Sequence, residues 1–142
     1  MDGRFIVSVL SFILVSSTAF ADLGGKLHPG INHHQIKTNP AYTVHEFILN
    51  GSTIHEYLSG GKVFAVTWTG RVHPDLTQLI GDYSDEYSLA LKKSSRMRGQ
   101  RAQAQVKGEH VVVEKSGHMR AMNGRAYLPL EIPNGVSLNE IK

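Results

Sequence analysis

Residues 42–69 decide the fold, and they read YTVHEFILNGSTIHEYLSGGKVFAVTWT. Two turn signals divide this stretch into three apolar segments. Asn50-Gly51 is the strongest short hairpin signal, because both residue types tolerate positive φ, and Ser59-Gly60-Gly61 provides a second turn. The segments are rich in β-branched and aromatic residues, which favour strands. The stretch predicts a three-strand antiparallel meander over 42–49, 52–58 and 62–69.

Three apolar residues at helical spacing follow the meander. Leu76, Leu79 and Ile80 recur at i, i+3 and i+4, so they lie on one face of a helix. Gly81 is a natural stop for that helix, and we expect a second short helix over 85–93. One or two short helices therefore separate the meander from the second half of the chain.

Strand patterns return after the helices. Residues 101–107 alternate between polar and apolar side chains, and Val111-Val112-Val113 is typical of a buried strand. Asn123-Gly124 predicts another tight hairpin, leading into a strand over 125–132. Strands, then helices, then strands indicate the α+β class. We expect an antiparallel sheet of two meanders, about six strands in all, with the short helices packed on it.

The first 21 residues have the organisation of a secretory signal peptide. Arg4 precedes an apolar run over 5–15, and small residues lead to Ala19-Phe20-Ala21, an A-x-A cleavage site. The run holds about 11 residues, whereas a membrane-spanning helix needs about 20. We therefore expect cleavage after Ala21 and a periplasmic or secreted product that does not span the membrane.

The rest of the chain divides into three parts. Residues 22–41 carry several glycine and proline turn signals and predict a flexible lead-in arm. The patterned segments predict a single α+β domain over 42–132. Residues 133–142 are rich in turn formers and predict a C-terminal tail.

Composition narrows the classes of function. The sequence has no cysteine, which excludes a lipidated cysteine, a thiol nucleophile, a redox pair and a cysteine zinc site. Five basic residues fall within 92–101. Such a run suits contact with an anionic envelope surface, or simply a solvated surface. The export signal and the lack of aromatic residues in the run argue against nucleic acid as a partner.

Several segments that cover nearly all of the chain after Ala21 match a known family. They are Val44-His45-Glu46-Phe47, Gly51, His55-Glu56-Tyr57, Gly61 through Trp68, Pro74-Asp75-Leu76, Leu79-Ile80-Gly81, Tyr83, Gly117, Met119-Arg120-Ala121 and Gly124 through Pro129. On these residues the chain resembles the DUF2844 type, small exported bacterial proteins described only as a domain of unknown function. The resemblance implies an exported protein of a Gram-negative bacterium. It implies no activity and no catalytic residues.

Two His-Glu pairs flank the first hairpin. A two-residue loop places His45 opposite Glu56 and Glu46 opposite His55, close enough for cross-strand ion pairs. The next turn aligns Glu46 and His55 with Val66, on the face that we expect to be the core side. That face also carries Val44, Ile48, Tyr57, Phe64 and Trp68. An imidazole beside a carboxylate can act as a general base or a pH switch. Glu46 and His55 are therefore candidate ligand-binding residues, and two stabilising cross-strand pairs are the alternative.

A second candidate site combines two arginines with a tyrosine. If Asn123-Gly124 forms the turn, Arg120 pairs with Tyr127, and Arg125 lies on the same face. Two guanidinium groups and a phenol can bind a carboxylate or a phosphate. Stacking of an arginine on Tyr127 for packing is the alternative.

A third cluster lies in the lead-in arm. His28, His33 and His34 could together bind zinc or copper through neutral imidazoles. The alternative is an ordinary polar arm without a metal, and we expect no other cofactor.

These features favour a non-enzymatic exported accessory protein that binds an envelope protein or an anionic envelope surface. The alternative is a small periplasmic metal- or ligand-binding protein that uses the arm histidines or the Glu46/His55 face. Nothing in the motifs points to a particular reaction.

Overall fold

The computed structural model describes residues 22–27, 32–94 and 103–142. The strands are β1 His34–Asn39, β2 Tyr42–Leu49, β3 Ser52–Ser59, β4 Lys62–Gly70, β5 Gln103–Lys107, β6 Val112–His118 and β7 Ala121–Tyr127. They form one antiparallel seven-stranded sheet in the order β1-β2-β3-β4-β7-β6-β5. The predicted α+β class with an antiparallel sheet is confirmed. The expected signal peptide with Ala19 and Ala21, His28, and the run 95–102 lie outside the described residues.

Two short helices separate β4 from β5, as the sequence predicts. Helix α1 spans Leu76–Ile80 and α2 spans Ser84–Lys93, with a 3-10 turn over Gly81–Tyr83 between them. The Asp75 carboxylate accepts a hydrogen bond from the backbone N–H of Thr77 and so caps α1. No helix among the described residues is long and apolar enough to cross a membrane.

The edge strand β1 lies within the range that we expected to be an arm. It pairs antiparallel with β2 over most of its length. Most of its side chains are exposed, so it lacks the apolar alternation from which a strand is recognised. Further upstream, Leu23 is buried in the core.

The first hairpin has the predicted register, with His45 opposite Glu56 and Glu46 opposite His55. A bulge next to Leu58 then shifts the pairing of β3 with β4 by one residue. His55 consequently lies opposite Thr67, and the predicted alignment of Glu46 and His55 with Val66 is wrong. A bulge inserts one unpaired residue into a strand, and an uninterrupted apolar run such as 63–66 carries no signal of where that residue falls.

Both faces of the sheet are packed, so the prediction of a single core side is wrong. On the helix-side face, α1 and α2 cover a cluster that includes Phe47, Ile54, Val66, Trp68, Val113 and Ala126. On the opposite, tail-side face, Ile132, Val136 and Ile141 pack against Tyr42, Val44, Tyr57, Phe64, Ala65, Val112 and Tyr127. The expected core residues are divided between these clusters, and Ile48 belongs to neither, with 71% of its surface exposed.

The predicted hairpin at Asn123-Gly124 is wrong. β7 runs straight through both residues, and the turn that joins it to β6 lies at Met119-Arg120, where Arg120 has a φ of +67°. Gly124 pairs with Trp68 of β4. A Cβ at Gly124 would lie 2.3 Å from Cζ2 of that indole. Glycine is therefore present because an aromatic ring covers the backbone, not because the chain turns.

Candidate functional site

A continuous row of polar side chains crosses the tail-side face. Each strand contributes one residue, and each residue is the ladder partner of the next. In spatial order this polar row is His34, Glu46, His55, Thr67, Arg125, Glu114 and Gln105. The polar row runs beside the apolar cluster that the tail covers, so one half of the tail-side face is covered and the other half is open.

The charges in the polar row are paired with one another. Nε2 of His55 lies 3.0 Å from Oε2 of Glu46. Nε of Arg125 donates to Oε2 of Glu114, and Nε2 of Gln105 donates to Oε1 of the same carboxylate at 2.8 Å. Each pair fixes the orientation of its members, so the polar row presents hydrogen-bonding groups on a rigid support.

Arg125 also ties the polar row to the tail. Its Nη1 donates to the backbone oxygens of Leu138 at 2.7 Å and Ile141 at 3.2 Å, and its guanidinium carbon lies 5.6 Å from the ring centroid of Tyr127. Burial raises the pKa of the Tyr127 hydroxyl, and the negative charge of Glu114 raises it further. These contacts keep residues 138–141 beside the polar row.

An open groove of about 720 Å³ lies along the uncovered half of the tail-side face. Its polar side chains are Thr67, Thr69, Gln105, Glu114, Ser116, Asn123 and Arg125, and the tail adds Ile141 and Lys142. The Ser116 hydroxyl donates to Oδ1 of Asn123, whereas the side chain of Thr69 is exposed. The groove offers donors and acceptors to a polar partner, and it is open to water.

The structure brings some of the predicted ligand-binding residues together and separates one. Glu46, His55 and Arg125 belong to the polar row, and Tyr127 lies next to Arg125 under the tail. Arg120 is exposed in the turn between β6 and β7. The predicted pairing of Arg120 with Tyr127 is therefore wrong, because it depended on a turn at Asn123-Gly124.

The helix-side face holds a second group of titratable residues. Glu56 is fully buried, and within the described part of the chain no hydrogen-bond donor contacts either carboxylate oxygen. Nδ1 of His33 lies 3.8 Å from Oε2 of Glu56, and the His33 ring meets the ring of Phe47 edge-on at 5.0 Å between centroids. Burial raises the pKa of the Glu56 carboxyl to about 7, because a charge without hydrogen bonds is unfavourable away from water.

The arm histidines are not brought together. His33 contacts Glu56 and Phe47 on the helix-side face, whereas His34 belongs to the polar row on the tail-side face. One ion cannot bind both side chains while β1 stays paired with β2. In residues 22–27, 32–94 and 103–142, no three His, Cys, Asp or Glu side chains are arranged to hold a metal ion.

Comparison of the sequence with known families identifies the family of this chain. The family model described as "Protein of unknown function (DUF2844)" matches residues 19–141. The chain belongs to the DUF2844 family. No curated protein matches it, and no solved structure matches it.

The buried Glu56–His33 contact of this DUF2844 chain is the feature that sequence reasoning missed. A usable signal was present in β3, where Ile54, Glu56 and Leu58 occupy alternate positions and therefore share a face. Two apolar neighbours on the same face indicate that a glutamate between them is buried. His33 carried no comparable signal, because its contacts depend on the pairing of an exposed edge strand.

Proposed function

We propose that this DUF2844 protein is exported to the bacterial envelope and acts there by binding an envelope component, without catalysing a reaction. One observation carries the proposal: on the open half of the tail-side face Ile48 and Thr69 are exposed, beside the partly exposed charged groups of the polar row. The other half of the same face is covered by the chain's own tail. The open half is therefore the surface left for a partner.

Support for export comes from the N-terminal sequence. Arg4, the apolar run over 5–15 and the A-x-A motif at Ala19-Phe20-Ala21 follow the order of a cleavable signal peptide.

The pairing of the charged groups in the polar row supports binding rather than catalysis. Glu46 is paired with His55, and Glu114 with Arg125, on an open surface. A general base or acid works best when its proton transfers are shielded from bulk water and its reactive atom is free to meet a substrate. Paired groups on an open sheet suit recognition of a polar surface instead.

Export is tested by fractionation of Gram-negative cells that express the full chain. We expect a processed form that lacks residues 1–21 in the periplasmic fraction or the medium. Changing Ala19 and Ala21 together to Arg should cause the unprocessed form to accumulate, because the cleavage site needs small residues. An unprocessed wild-type chain that stays in the cytoplasm would contradict export.

Binding is tested by sedimentation of the processed chain with washed envelope fractions. The variant Ile48→Asp places a carboxylate on the open half of the tail-side face. Leu89→Asp is the matched control, because Leu89 is 58% exposed on α2 in the helix layer. We expect Ile48→Asp to reduce the bound fraction at least tenfold and Leu89→Asp to leave it unchanged. Equal binding by both variants, or loss in the control alone, would contradict the proposed surface.

A small polar ligand in the groove is the second candidate. The exposed Thr69 and the mixture of donors and acceptors from four strands favour it. A rise in melting temperature with free saccharides or amino acids of the envelope supports this candidate if Thr69→Arg, which fills the groove, abolishes the rise. No rise with any of these compounds would argue against it.

A further inference from the structure

We propose that the covered half of the tail-side face is a peptide-binding groove, which the protein's own tail, residues 133–142, occupies in place of a partner. The ligand that fits this groove is a short segment of another protein in which an acidic residue is followed directly by an aliphatic residue. The groove lies on the half of the face that the proposed envelope binding does not use, so the two inferences can fail separately.

The tail is a self-contained unit that rests on the sheet without joining its ladder. In the part of the chain that the structure describes, every backbone-to-backbone hydrogen bond of residues 133–142 lies within the tail. The N–H groups of Val136, Glu140 and Ile141 donate to the carbonyl oxygens of Pro133, Ser137 and Leu138, respectively. A capping box at Ser137 also closes the 3-10 turn over Leu138–Glu140. Because local contacts determine this shape, a segment of another chain can adopt it as well.

Two side chains of the sheet bind the main chain of the tail. Nη1 of Arg125 donates to the carbonyl oxygens of Leu138 at 2.7 Å and Ile141 at 3.2 Å. The Tyr57 hydroxyl donates to the carbonyl oxygen of Lys142 at 2.8 Å and accepts from the N–H of the same residue at 3.0 Å. Main-chain groups are common to all peptides, so these contacts supply affinity without requiring a particular sequence.

One side chain anchors residues 137–142 in the apolar cluster. Ile141 is 1% exposed, whereas the four residues before it and Lys142 are exposed. The cluster in which Ile141 is buried is rich in aromatic rings, which belong to Tyr42, Tyr57, Phe64 and Tyr127. Because a pocket for a single side chain provides specificity in peptide recognition, the groove requires an aliphatic residue at this position of its ligand.

The residue before the anchor meets a cationic end of the groove. The Tyr42 hydroxyl donates to Oε2 of Glu140 at 3.2 Å. The same hydroxyl accepts a hydrogen bond from Nζ of Lys37 at 3.2 Å, so a positive charge lies one hydrogen bond away from the carboxylate. Charge complementarity therefore favours an acidic residue directly before the aliphatic anchor, as in the pair Glu140-Ile141 of the tail.

A partner has to compete with the tail for the groove. Ile141 and Lys142 also line the open groove on the neighbouring half of the face, so an arriving segment can displace the tail from its Lys142 end. The tail is tethered through a turn in which the N–H of Val136 donates to the carbonyl oxygen of Pro133 at 3.1 Å. A short tether gives the tail an effective concentration in about the millimolar range. Any change that loosens the tail should therefore raise the apparent affinity for a partner.

Fluorescence anisotropy with a labelled peptide of residues 136–142 measures access to the groove in the processed chain. The wild type should bind this peptide weakly, because its own tail fills the groove. Ile141→Ala should bind it at least about thirtyfold more tightly, because truncating a buried isoleucine weakens the docking of the tail. Leu130→Ala is the matched control, since Leu130 is 84% exposed, and it should bind as the wild type does. Equal binding by Ile141→Ala and the wild type would overturn the inference.

Changes in the peptide and in the groove test the chemistry of the ligand. A peptide that carries Ile141→Ala should bind about thirtyfold less tightly to the Ile141→Ala protein, and one that carries Glu140→Gln about threefold less tightly. Adding Tyr57→Phe to the protein keeps the ring but removes the hydroxyl, and should weaken binding of the unchanged peptide about tenfold. Adding Ile48→Asp should leave peptide binding unchanged, which separates this inference from the proposed envelope binding. Equal binding of the unchanged peptide and the Ile141→Ala peptide, or loss of binding with Ile48→Asp, would overturn the inference.

A second measurement uses the wild type alone, in case Ile141→Ala does not fold. Amide resonances of residues 138–142 in an isotopically labelled chain are followed while the unlabelled peptide of residues 136–142 is added to above about millimolar concentration. The resonances should move towards their positions in a free labelled peptide, because the added peptide replaces the tail, and a peptide that carries Ile141→Ala should leave them unchanged. Resonances that do not move, or a dimer that exchanges tails between two copies without any peptide, would overturn the inference.

Discussion

The indole of Trp68 lies across the backbone of Gly124, its ladder partner on the neighbouring strand. Trp68 is 1% exposed and is the largest fully buried side chain of the structure as described. An ideal Cβ at Gly124 would lie 2.3 Å from Cζ2 of the indole and 2.6 Å from the backbone oxygen of Glu114. The join between β4 and β7, which connects the two meanders, therefore depends on a glycine at position 124.

Gly124→Ala should destabilise the protein strongly. The new methyl group must displace a buried ring or a backbone, and overpacking of this kind costs about 1–3 kcal/mol or more. Urea denaturation followed by circular dichroism measures the loss. Gly60→Ala is the control, because nothing lies within 4 Å of its Cβ position, although its positive φ gives that variant a small cost. A larger loss in Gly60→Ala than in Gly124→Ala would contradict the role of the indole.

Ile141→Ala should loosen the tail. Ile141 is 1% exposed in the tail-side cluster, and truncating a buried isoleucine to alanine costs about 2–5 kcal/mol. Next to it, the Tyr57 hydroxyl donates to the backbone oxygen of Lys142 at 2.8 Å, so we expect residues 137–142 to become accessible to proteases in the variant. Leu130→Ala is the control, since Leu130 is 84% exposed. Equal stability of the two variants in urea would show that the tail contributes no packing.

Glu86→Ala should weaken the connection between α2 and the second meander. Oε1 of Glu86 accepts backbone hydrogen bonds from His110 at 2.6 Å and Val111 at 3.1 Å. Loss of hydrogen bonds to a charged acceptor costs about 1.5–3 kcal/mol. Asp85→Ala is the control from the same helical turn, where the loss should be limited to the interaction with the helix dipole, about 0.3–1 kcal/mol. Similar free energies of unfolding for both variants would contradict the special position of Glu86.

The Glu86 carboxylate should also make the stability of the folded protein depend on pH under acidic conditions. Burial raises the pKa of Glu86, but the backbone hydrogen bonds from His110 and Val111, together with the hydrogen bond and the charge of the His110 ring, outweigh burial and lower the pKa from its ordinary 4.5. A lowered carboxyl pKa stabilises the folded state above pH 4.5, and this stabilisation is lost as pH falls through the lowered value. The wild type should therefore lose more stability than Glu86→Ala on acidification below pH 4.5. Parallel curves for the two proteins would refute this.

Trp68 should report the protonation of His73. Nε1 of Trp68 donates to Nδ1 of His73 at 3.0 Å, which requires that nitrogen to be unprotonated. Burial lowers the pKa of His73, and the positive charge of Lys115 lowers it further. The contact is therefore intact above pH 6.5 and is lost as pH falls through the lowered pKa. Because the chain has one tryptophan, its fluorescence should change with a midpoint below pH 6.5. His73→Gln should abolish this transition and His118→Gln should retain it; a transition that survives in His73→Gln would contradict the assignment.

Short sequence signals predicted the secondary-structure elements that neighbouring residues determine. Asn50-Gly51 and the identical dipeptide Asn123-Gly124 show the limit of such signals. The first forms a hairpin turn in which both residues have positive φ. The second lies within β7, because Gly124 has to accommodate Trp68, a residue 56 positions earlier in the chain. Only tertiary packing distinguishes the two, and the sequence pattern around them does not.

The candidate site was predictable in part for the same reason. The first hairpin fixed Glu46 opposite His55, so that part of the polar row followed from sequence. Arg125 lies in the polar row because β4 pairs with β7. This pairing connects the two meanders, which are distant in sequence, so no short sequence pattern predicts it. The position of β1, and with it the contact of His33 with Glu56, depends on backbone pairing of an exposed strand, for which hydrophobic periodicity gives no information.

The central claim, that the open half of the tail-side face binds an envelope component, is tested most directly by photo-crosslinking in cells that export the full chain. A photoreactive amino acid is placed at Thr69, on that face, and in a separate chain at Leu89, on the helix layer. The account predicts a discrete crosslinked product from position 69 that is lost when Ile48→Asp is added, and none from position 89. Absence of a product at position 69, or the same products from both positions, would contradict it.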